Sequence, residues 1–532
     1  MKKTTWKKHH KWSGIICCFF LLMFCLSGIV LNHRAIVSDI NVGRNRLPAR
    51  YHFNSWNGGL LRGTTPYIDK DSTARVLIYG TGGIWLTDSA AGSVSDFNRG
   101  LPSGADHRQI KNVVETEDKD LFAVSIFGLY RYNVEDGAWR AVTLPKDEDE
   151  LLTDAVCHSD TLIVAGRSHL YLSVAPYRSF EKIQVKAPDG YRNEVSLFRS
   201  VWMLHSGELF GMPGRIIADI IALILIALCI TGLIFWLLPE YMRRRRSRGK
   251  NTPVAQKTTR FSYLWHERLG RTTIVLTLFI AITGWCLRPP LMIPLALTKA
   301  PAVPGSKLDC PNPWNDKLRM IRYDDACDDW LLSTSEGFYS LKQLHDTPVK
   351  ISHTPPVSVM GLNVFQKDES GMWLCGSFSG MYVWDRQNHS AKDYFTNEAA
   401  TDKAGPPFGK KAISGYSHDF AGKKFAVEYY NGTDEIRQPP KLETLPMSLW
   451  NVALEVHTGR IYIGDAATYF FIFIIGICAI WCLWSGWKLR KRKNQARTRQ
   501  TLTHQGRHFK ARINAQRHSG GSATSEQTGL PV

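Results

Sequence analysis

The sequence lacks the cysteine spacings of the common metal and haem-attachment motifs. Its eleven cysteines include no CxxC, no CxxCH and no zinc-ligand pattern, which argues against covalent c-type haem and structural zinc. Of the four cysteines outside the apolar runs, Cys310 and Cys327 close a short loop, and they are a candidate disulfide in an oxidising compartment. The other seven lie in apolar runs and are interpreted as small packing residues: Cys17, Cys18, Cys25, Cys229, Cys286, Cys478 and Cys482.

A nucleotide-binding motif is also missing. Neither the basic segment at residues 239–268 nor the chain end at 488–532 contains a GxGxxG in a βαβ setting. Both segments are too short to fold a nucleotide-binding domain. A flavin or NAD(P) domain within these segments is therefore excluded.

Acidic residues are scarce in three segments that together carry more than the whole net charge of +19. Residues 1–11 hold five lysines, residues 239–271 hold ten basic and two acidic residues, and residues 488–532 hold eleven and one. Basic flanks mark the cytoplasmic side of membrane helices. Because this charge lies beside apolar runs rather than on a folded basic face, nucleic-acid binding is disfavoured.

Four apolar runs are long enough to cross about 30 Å of hydrocarbon, which takes roughly 20 helical residues. They lie at residues 12–31, 216–238, 272–297 and 466–487. With the basic segments inside, both termini are cytoplasmic and two large loops lie outside. The few charges within the runs disfavour a transporter.

The first apolar run begins like a signal peptide, with a basic start and an apolar stretch. No small-x-small cleavage site follows it, and its spacing recurs inside the chain. Gly28 lies eighteen residues after His10, and Gly284 lies eighteen residues after His266. A cleaved peptide has no reason to match an internal helix, so we expect the first run to be retained.

A second repeat precedes the apolar runs at residues 216–238 and 466–487. Leu204-His205-Ser206-Gly207 leads into one of them, and Val456-His457-Thr458-Gly459 leads into the other. These repeats predict an α+β membrane protein whose four transmembrane helices arose by tandem duplication. Each half has a first helix with histidine at its cytoplasmic end, a large β-rich outer segment, and a second helix with histidine at its outer end.

The outer segments contain a shorter repeat. Runs beginning at Val76, Leu121 and Leu162 in the first half, and at Trp330 and Trp373 in the second, each predict a hairpin. They recur every 41 to 45 residues within each half, which is the period of a propeller blade. The repeats allow one propeller built from both segments, or two separate β domains.

These boundaries divide the chain into eight parts. They are 1–33 (N-terminus and first span), 34–195 (first β-rich segment), 196–238 (histidine lead-in and second span), 239–268 (basic cytoplasmic loop), 269–297 (third span), 298–447 (second β-rich segment), 448–487 (histidine lead-in and fourth span) and 488–532 (basic cytoplasmic tail). The tail is poor in apolar residues and is predicted to be disordered.

The four repeated histidines form one pair at each face of the membrane. His10 and His266 lie at the inner face, and His205 and His457 lie at the outer face. Two imidazoles at one depth on different helices supply the axial ligands of a six-coordinate b-type haem. His9 and His33 lie nearby as alternative ligands, and an interfacial role without any ligand is the simpler interpretation of each histidine alone.

The motifs around these histidines resemble a known family. His10-Lys11-Trp12-x-Gly14, Leu204-His205-Ser206-Gly207-Glu208 and Val456-His457-Thr458-Gly459-Arg460 are similar to those of the PepSY-associated transmembrane family. That family includes iron-uptake proteins of the bacterial inner membrane and haem-containing ferric-siderophore reductases. The outer segments depart from it, since they predict blade-like hairpins rather than PepSY modules.

The resemblance implies one or two b-type haems held by His10, His205, His266 and His457. It implies a haem-dependent ferric reductase of the inner membrane that passes electrons outward to a ferric siderophore or another iron complex. The donor is then membrane quinol or a separate cytoplasmic protein. The alternative is a non-enzymatic sensor or accessory subunit whose periplasmic β domain binds a ligand or partner.

Overall fold

The computed structural model describes residues 2–69, 71–401, 409–464 and 467–489. The chain divides into two compact units. The helical unit comprises Met1–Ile29, Ser196–Thr298 and Val456–Val532, and the β unit comprises Val30–Val195 and Lys299–Glu455. The tail predicted to be disordered lies outside the described residues from position 490 onward.

Nine α-helices occur in the described part of the chain. They are α1 (Lys3–Asn32), α2 (Arg34–Val37), α3 (Leu197–Ser206), α4 (Gly211–Arg246), α5 (Pro253–Thr272), α6 (Ile274–Cys286), α7 (Met292–Leu297), α8 (Leu449–His457) and α9 (Ala467–Leu489). Short 3₁₀ helices lie at Arg44–Arg46, Ala49–Tyr51, Glu208–Phe210 and Pro440–Leu442.

Three of these helices are long and apolar enough to cross a membrane. They are α1, α4 with its preceding turn (Glu208–Arg246), and α9. A fourth span is available if α5 and α6 cross together, although they are bent by 71°. The chain is thus a multi-pass membrane protein of the α+β class with three or four candidate spans.

The third predicted span differs most from the structure. The chain leaves helical geometry at Thr273 (φ −107°, ψ 6°), and α6 ends at Cys286 ahead of Pro289 and Pro290, since proline disfavours a helical residue before it. Helix α5 fills much of the segment predicted as a basic loop. Its basic residues lower the mean hydropathy there, although Phe261 and Trp265 are four residues apart, as on one face of a helix.

The membrane helices share one apolar core. Cys25 of α1 and the α4 residues Ile221 and Leu225 are buried together, and Ile280 of α6 and Leu483 of α9 pack against them. Helices α1, α4, α6 and α9 therefore all contact one apolar core within the helical unit.

The β-strands are short and antiparallel. They are β1 (Asn41–Val42), β2 (Gly63–Ile68), β3 (Ala74–Gly80), β4 (Gly83–Thr87), β5 (Val94–Asp96), β6 (Ile110–Glu115), β7 (Leu121–Ser125), β8 (Leu129–Asn133), β9 (Ala138–Val142), β10 (Leu152–His158), β11 (Thr161–Gly166), β12 (Leu170–Val174), β13 (Glu181–Ile183), β14 (Glu194–Ser196), β15 (Lys299–Pro301), β16 (Leu318–Asp324), β17 (Asp329–Thr334), β18 (Gly337–Leu341), β19 (Val349–Lys350), β20 (Leu362–Lys367), β21 (Trp373–Ser377), β22 (Gly380–Asp385), β23 (Ser390–Asp393), β24 (Ile413–Phe420), β25 (Lys423–Glu428) and β26 (Met447–Ser448).

Most strands belong to six sheets in chain order. Sheets 1 to 3 are β2–β5, β6–β9 and β10–β13, and sheets 4 to 6 are β16–β19, β20–β23 and β24–β25. Two short pairs, β1–β26 and β14–β15, complete the set in the described residues. The five predicted hairpins are the β3–β4, β7–β8, β11–β12, β17–β18 and β21–β22 pairs.

The first strands of the six sheets lie side by side in a closed ring. Each is joined to the next by a hydrogen bond: Thr65 to the Val113 carbonyl (3.1 Å), Asn112 to Asp154 (2.9 Å), the Ile321 amide to Asp154 (3.2 Å), Arg322 to the Phe365 carbonyl (2.8 Å), Asn363 to the Ile413 carbonyl (2.7 Å), and Ser417 with Thr64 (2.8 Å). This is a propeller-like arrangement. The two β-rich segments therefore contribute three sheets each to one body.

Each gap between neighbouring sheets has its own apolar core. The middle strands β7, β17 and β21 are buried along their whole length, because sheets cover both of their faces. The gap between sheets 6 and 1 contains Phe420 and Phe425 with Trp85. Packing as well as hydrogen bonding thus closes the ring.

Candidate functional site

The two histidines predicted at the inner face lie together in the helical unit. His10 is on α1 and His266 is on α5, and their ring centroids are 6.0 Å apart. Although α1 and α5 are far apart in sequence, the two imidazoles face each other.

The two histidines predicted at the outer face form a second pair. His205 is the penultimate residue of α3 and His457 is the last residue of α8, and their ring centroids are 6.2 Å apart. In both helices a glycine two residues later has a left-handed conformation, Gly207 with φ 79° and Gly459 with φ 78°. A side chain at Gly207 would collide with the Gly214 carbonyl. The glycine of each motif therefore stops the helix just after its histidine.

The Nδ1 atom of each imidazole forms a hydrogen bond that fixes the orientation of the ring. Nδ1 of His10 donates to the Cys482 carbonyl (3.0 Å), that of His266 to the Leu228 carbonyl (3.1 Å), and that of His457 to the Phe24 carbonyl (2.9 Å). Since a carbonyl oxygen only accepts, Nδ1 carries the hydrogen and Nε2 keeps its lone pair. Nδ1 of His205 lies 3.1 Å from the Thr283 hydroxyl and also bonds the backbone of Ile280.

Each imidazole lies against a glycine of another helix. A Cβ at that glycine would come within 3.3 Å or less of the ring carbon Cε1. The four contacts are Gly28 with His457 (3.3 Å), Gly232 with His266 (3.3 Å), Gly284 with His205 (2.7 Å) and Gly486 with His10 (3.1 Å). These glycines let the rings approach the helix backbone closely.

The residue before each of these glycines carries a hydroxyl group. Ser27, Thr231, Thr283 and Ser485 lie 3.1, 3.1, 3.1 and 3.4 Å from Nδ1 of the same four histidines. Each of these hydroxyl–glycine pairs contacts one histidine ring. Two of the four glycines, Gly28 and Gly284, had a sequence signal, because they lie eighteen residues after His10 and His266.

Each pair offers two imidazole nitrogens, one from each ring, that are suited to bind a single metal ion between them. Two metal–imidazole bonds of about 2 Å and two ring radii of about 1.1 Å place the centroids roughly 6 Å apart. The observed 6.0 and 6.2 Å agree with this value. Imidazole ligands of metals ordinarily donate their other N–H to a carbonyl or carboxylate, as these do. The residues therefore fit a bis-histidine haem iron.

The neighbouring histidine on α1 does not join either pair. The His9 ring packs edge-on against Trp481, with centroids 5.8 Å apart, and lies 6.4 Å from Trp6. It is thus placed on another face of α1 from His10.

The candidate disulfide is not formed. Cys310 and Cys327 are free thiols in the structure. Cys327 lies in the turn after β16, whereas Cys310 precedes that strand, whose seven residues extend about 23 Å. Closeness in sequence was misleading because the loop between these cysteines contains a full strand.

One cluster in the β unit has the composition of a metal site. Asp147, Glu150 and His169 have ligand atoms within 4.8 Å of one another. Glu150 is already saturated, because it accepts bonds from the His169 ring (2.9 Å), the Ser168 amide (2.8 Å) and the Tyr171 hydroxyl. Burial raises the pKa of Glu150, but these bonds outweigh it and lower the pKa. The carboxylate thus secures the β11–β12 turn.

Comparison with known proteins gives a family match for the first 238 residues. Residues 1–238 match the family model described as the PepSY-associated TM region, so the resemblance recognised from the histidine motifs is confirmed over these residues. No curated protein matches the chain.

Two solved structures share weak similarity with the chain. Both are of the extracellular domain of BT4673 from B. thetaiotaomicron, described once as a one component and once as a hybrid two component system. The first is 8% identical, with a TM-score of 0.34 over 75% of this chain, and the second is 10% identical, with a TM-score of 0.22 over 66%. The chain spans 43% of the length of each.

Proposed function

We propose that this protein is a b-haem protein of the bacterial inner membrane that passes electrons outward, and that it reduces a ferric complex such as a ferric siderophore. The observation that carries the proposal is the pair of facing histidines at each end of the helical unit. Four histidines with the same carbonyl or hydroxyl partners and the same glycine contact are hard to explain as isolated interfacial residues.

The spacing of the pairs supports transfer across the bilayer. His10 meets His266 at one end of α1, and Gly28, eighteen residues later, meets His457. At 1.5 Å per residue the pairs lie about 27 Å apart along the helix, close to the hydrocarbon thickness of about 30 Å. The lysines around His10 place that pair on the cytoplasmic side by the positive-inside rule.

Each pair would hold one haem, with His10 and His266 as inner ligands and His205 and His457 as outer ligands. A haem held there would supply a one-electron ferric–ferrous couple. The residues of this chain orient and tune the imidazoles: the Nδ1–H bonds make Nε2 a stronger donor, and the glycines restrict ring rotation. The apolar core around Cys25, Ile221 and Leu225 keeps water from the space between the pairs.

The donor and the acceptor belong to other molecules in this proposal. The donor is membrane quinol or a separate cytoplasmic protein, because the basic segments contain no nucleotide-binding motif. The acceptor is a ferric complex on the periplasmic side, where the charge distribution also places the β unit. Both termini are cytoplasmic.

The experiment is a visible spectrum of the detergent-purified protein, taken as isolated and after dithionite. A sharp Soret band that shifts on reduction, with resolved α and β bands, is the expected result for low-spin bis-histidine haem. A spectrum with no absorbance beyond the protein's own, from cells supplied with haem and iron, would contradict the proposal.

A second candidate is a membrane-anchored sensor or accessory subunit. It is favoured by the closed ring of six sheets, which contains none of the four paired histidines and is more than an electron conduit requires. In this case the purified protein is colourless, and deleting the chain disturbs a signalling or uptake complex. The same spectrum separates the two functions.

A further inference from the structure

A cavity with a basic lining lies among the inner strands of the ring and is partly open to solvent. Its volume is about 190 Å³, and its walls come from strands β2, β3, β6, β16, β20 and β24. The charged side chains among the lining residues are Arg62, Lys111 and Arg322, and no carboxylate is among them. Strands from both halves of the sequence contribute these cations.

The hydrogen-bond partners of the Arg62 guanidinium are all neutral among the described residues, and the Asp154 carboxylate acts on its charge without bonding it. Its Nε donates to the Lys111 carbonyl (2.9 Å), one Nη to the Asn363 side chain (2.7 Å) and the other to the Leu362 carbonyl (3.2 Å). These bonds fix the position of the guanidinium plane without neutralising its charge.

The other two cations, Arg322 and Lys111, differ in whether a carboxylate neutralises their charge. Arg322 forms an ion pair with Asp154, which is fully buried behind it and also accepts from Asn112 (2.9 Å) and the Ile321 amide (3.2 Å). Lys111 has no ion pair in the part of the chain that the structure describes. Asp106, the carboxylate that acts on the Lys111 charge, is paired with Arg34, and Asp419 accepts a hydrogen bond from Thr64.

Cations held together away from bulk water are costly unless a counter-charge accompanies them. Arg62 and Lys111 are held side by side by the fold, because Lys111 supplies the carbonyl that positions Arg62. The Gln366 side chain also lines the cavity. One hydrogen of its amide group bonds His418, and the other can bond an oxygen atom of a ligand. These features suit an anion that carries several oxygen acceptors.

We infer that the central cavity of the β unit is a binding site for a small oxyanion, either inorganic such as phosphate or sulfate or a short carboxylate, held by Arg62, Lys111 and Arg322. The cavity is smaller than the roughly 300–1,000 Å³ of pockets for drug-sized ligands. A ferric siderophore is therefore too large for it, and the site is distinct from the proposed electron acceptor.

The test is equilibrium dialysis of the detergent-purified full chain against radiolabelled phosphate, sulfate or citrate at constant ionic strength. Wild type is expected to bind one anion per chain, and competition among the three distinguishes a tetrahedral oxyanion from a carboxylate. Lys111→Met is expected to weaken binding about 10- to 100-fold, the usual loss for a charge-assisted bond.

Lys392→Met is the matched control. Lys392 lies exposed on β23, the outermost strand of sheet 5, so this variant loses the same charge but should bind like wild type. Lys111→Arg, which keeps the charge, should restore most of the affinity. The inference is overturned if wild type binds none of the three anions, or if the Lys111 and Lys392 variants bind equally.

Discussion

The His205 ring lies directly against Gly284, so that a Cβ at that glycine would come within 2.7 Å of the ring carbon Cε1. His205 belongs to α3 in the first half of the chain, and Gly284 belongs to α6 in the second half. The contact thus ties the two halves together at the position of one facing histidine pair.

Replacing Gly284 by alanine should displace the His205 ring and open the His205–His457 pair. We expect haem content to fall by about one per chain, and stability to fall by roughly 1–3 kcal/mol because of overpacking. Pyridine-haemochrome assay and thermal unfolding measure the two effects. Gly270→Ala is the control, since its Cβ would have an ordinary 3.6 Å contact with Leu228. Full haem in Gly284→Ala would show that this contact does not hold the pair.

Removing either pair of histidines should remove one haem and leave the other. The double variants are His10→Ala with His266→Ala, and His205→Ala with His457→Ala. His9→Ala is the control, because His9 adjoins His10 in sequence but packs on Trp481. Haem-to-protein ratios and reduced-minus-oxidised spectra provide the measurement. An undiminished ratio in either double variant would exclude those residues as ligands.

Asp324 should stabilise sheets 4 and 5 through its charge. It is buried and bonded by Lys367 (2.8 Å), Arg386 (2.9 Å) and Trp373 (3.1 Å). Asp324→Asn is expected to destabilise the β unit by about 3 kcal/mol, as when one partner of a buried ion pair is lost. Asp325→Asn, at an exposed neighbour, should change stability by less than about 0.5 kcal/mol.

The effect of Asp324 should also depend on pH. Burial raises its pKa, but the bonds from Lys367, Arg386 and Trp373 outweigh this and lower the pKa to about 2. The unfolded value is about 3.9, so the stabilisation is complete above pH ~4 and is lost as the pH falls toward 2. Circular-dichroism melts of wild type and Asp324→Asn should converge over that range. A constant difference would contradict the assignment.

Sulfate binding to the β unit should weaken as the pH rises. Burial, followed by repulsion from Arg62, Arg34 and Arg167, lowers the pKa of Lys111 to about 7, against a smaller opposing effect of Asp106. Lys111 is therefore charged at pH 6 and largely neutral at pH 8.5, while sulfate keeps its charge throughout.

Affinity for sulfate should consequently fall roughly tenfold between pH 6 and 8.5. A bound anion favours the charged lysine and shifts the change toward the higher part of that range. Dialysis across the series measures it, with Lys111→Met as a variant whose weaker binding should be independent of pH. An equal slope in both proteins would assign the pH dependence to another group.

The sequence was informative where the chain repeats itself. His10 with Gly28, and His266 with Gly284, share a spacing that only a common helical layout explains, and the hairpins recur with the period of a blade. The partners could not be predicted in the same way. The contact between Gly486 and His10 depends on which helices pack together. The sequence around either residue does not indicate the other.

The errors have local physical causes. Helix α5 was predicted as a loop because its basic residues lower the mean hydropathy of that segment. Sheet 6 was not predicted, because β24 and β25 lack the Gly/Ser turn and aromatic pair shared by the other hairpins. Cys310 and Cys327 seemed close because the strand between them was not recognised.

During biosynthesis the ring cannot close until its last sheet has been made. Sheet 3 ends at Ile183, and sheet 6, which covers the open face of sheet 1, ends at Glu428. At about 5–20 residues per second the ribosome needs roughly 12–50 s to make the intervening chain. Hairpins form in about 1–10 μs, so half a ring with apolar faces at both ends exists for most of that interval. A chain ending at residue 298 leaves both apolar faces uncovered and should therefore aggregate.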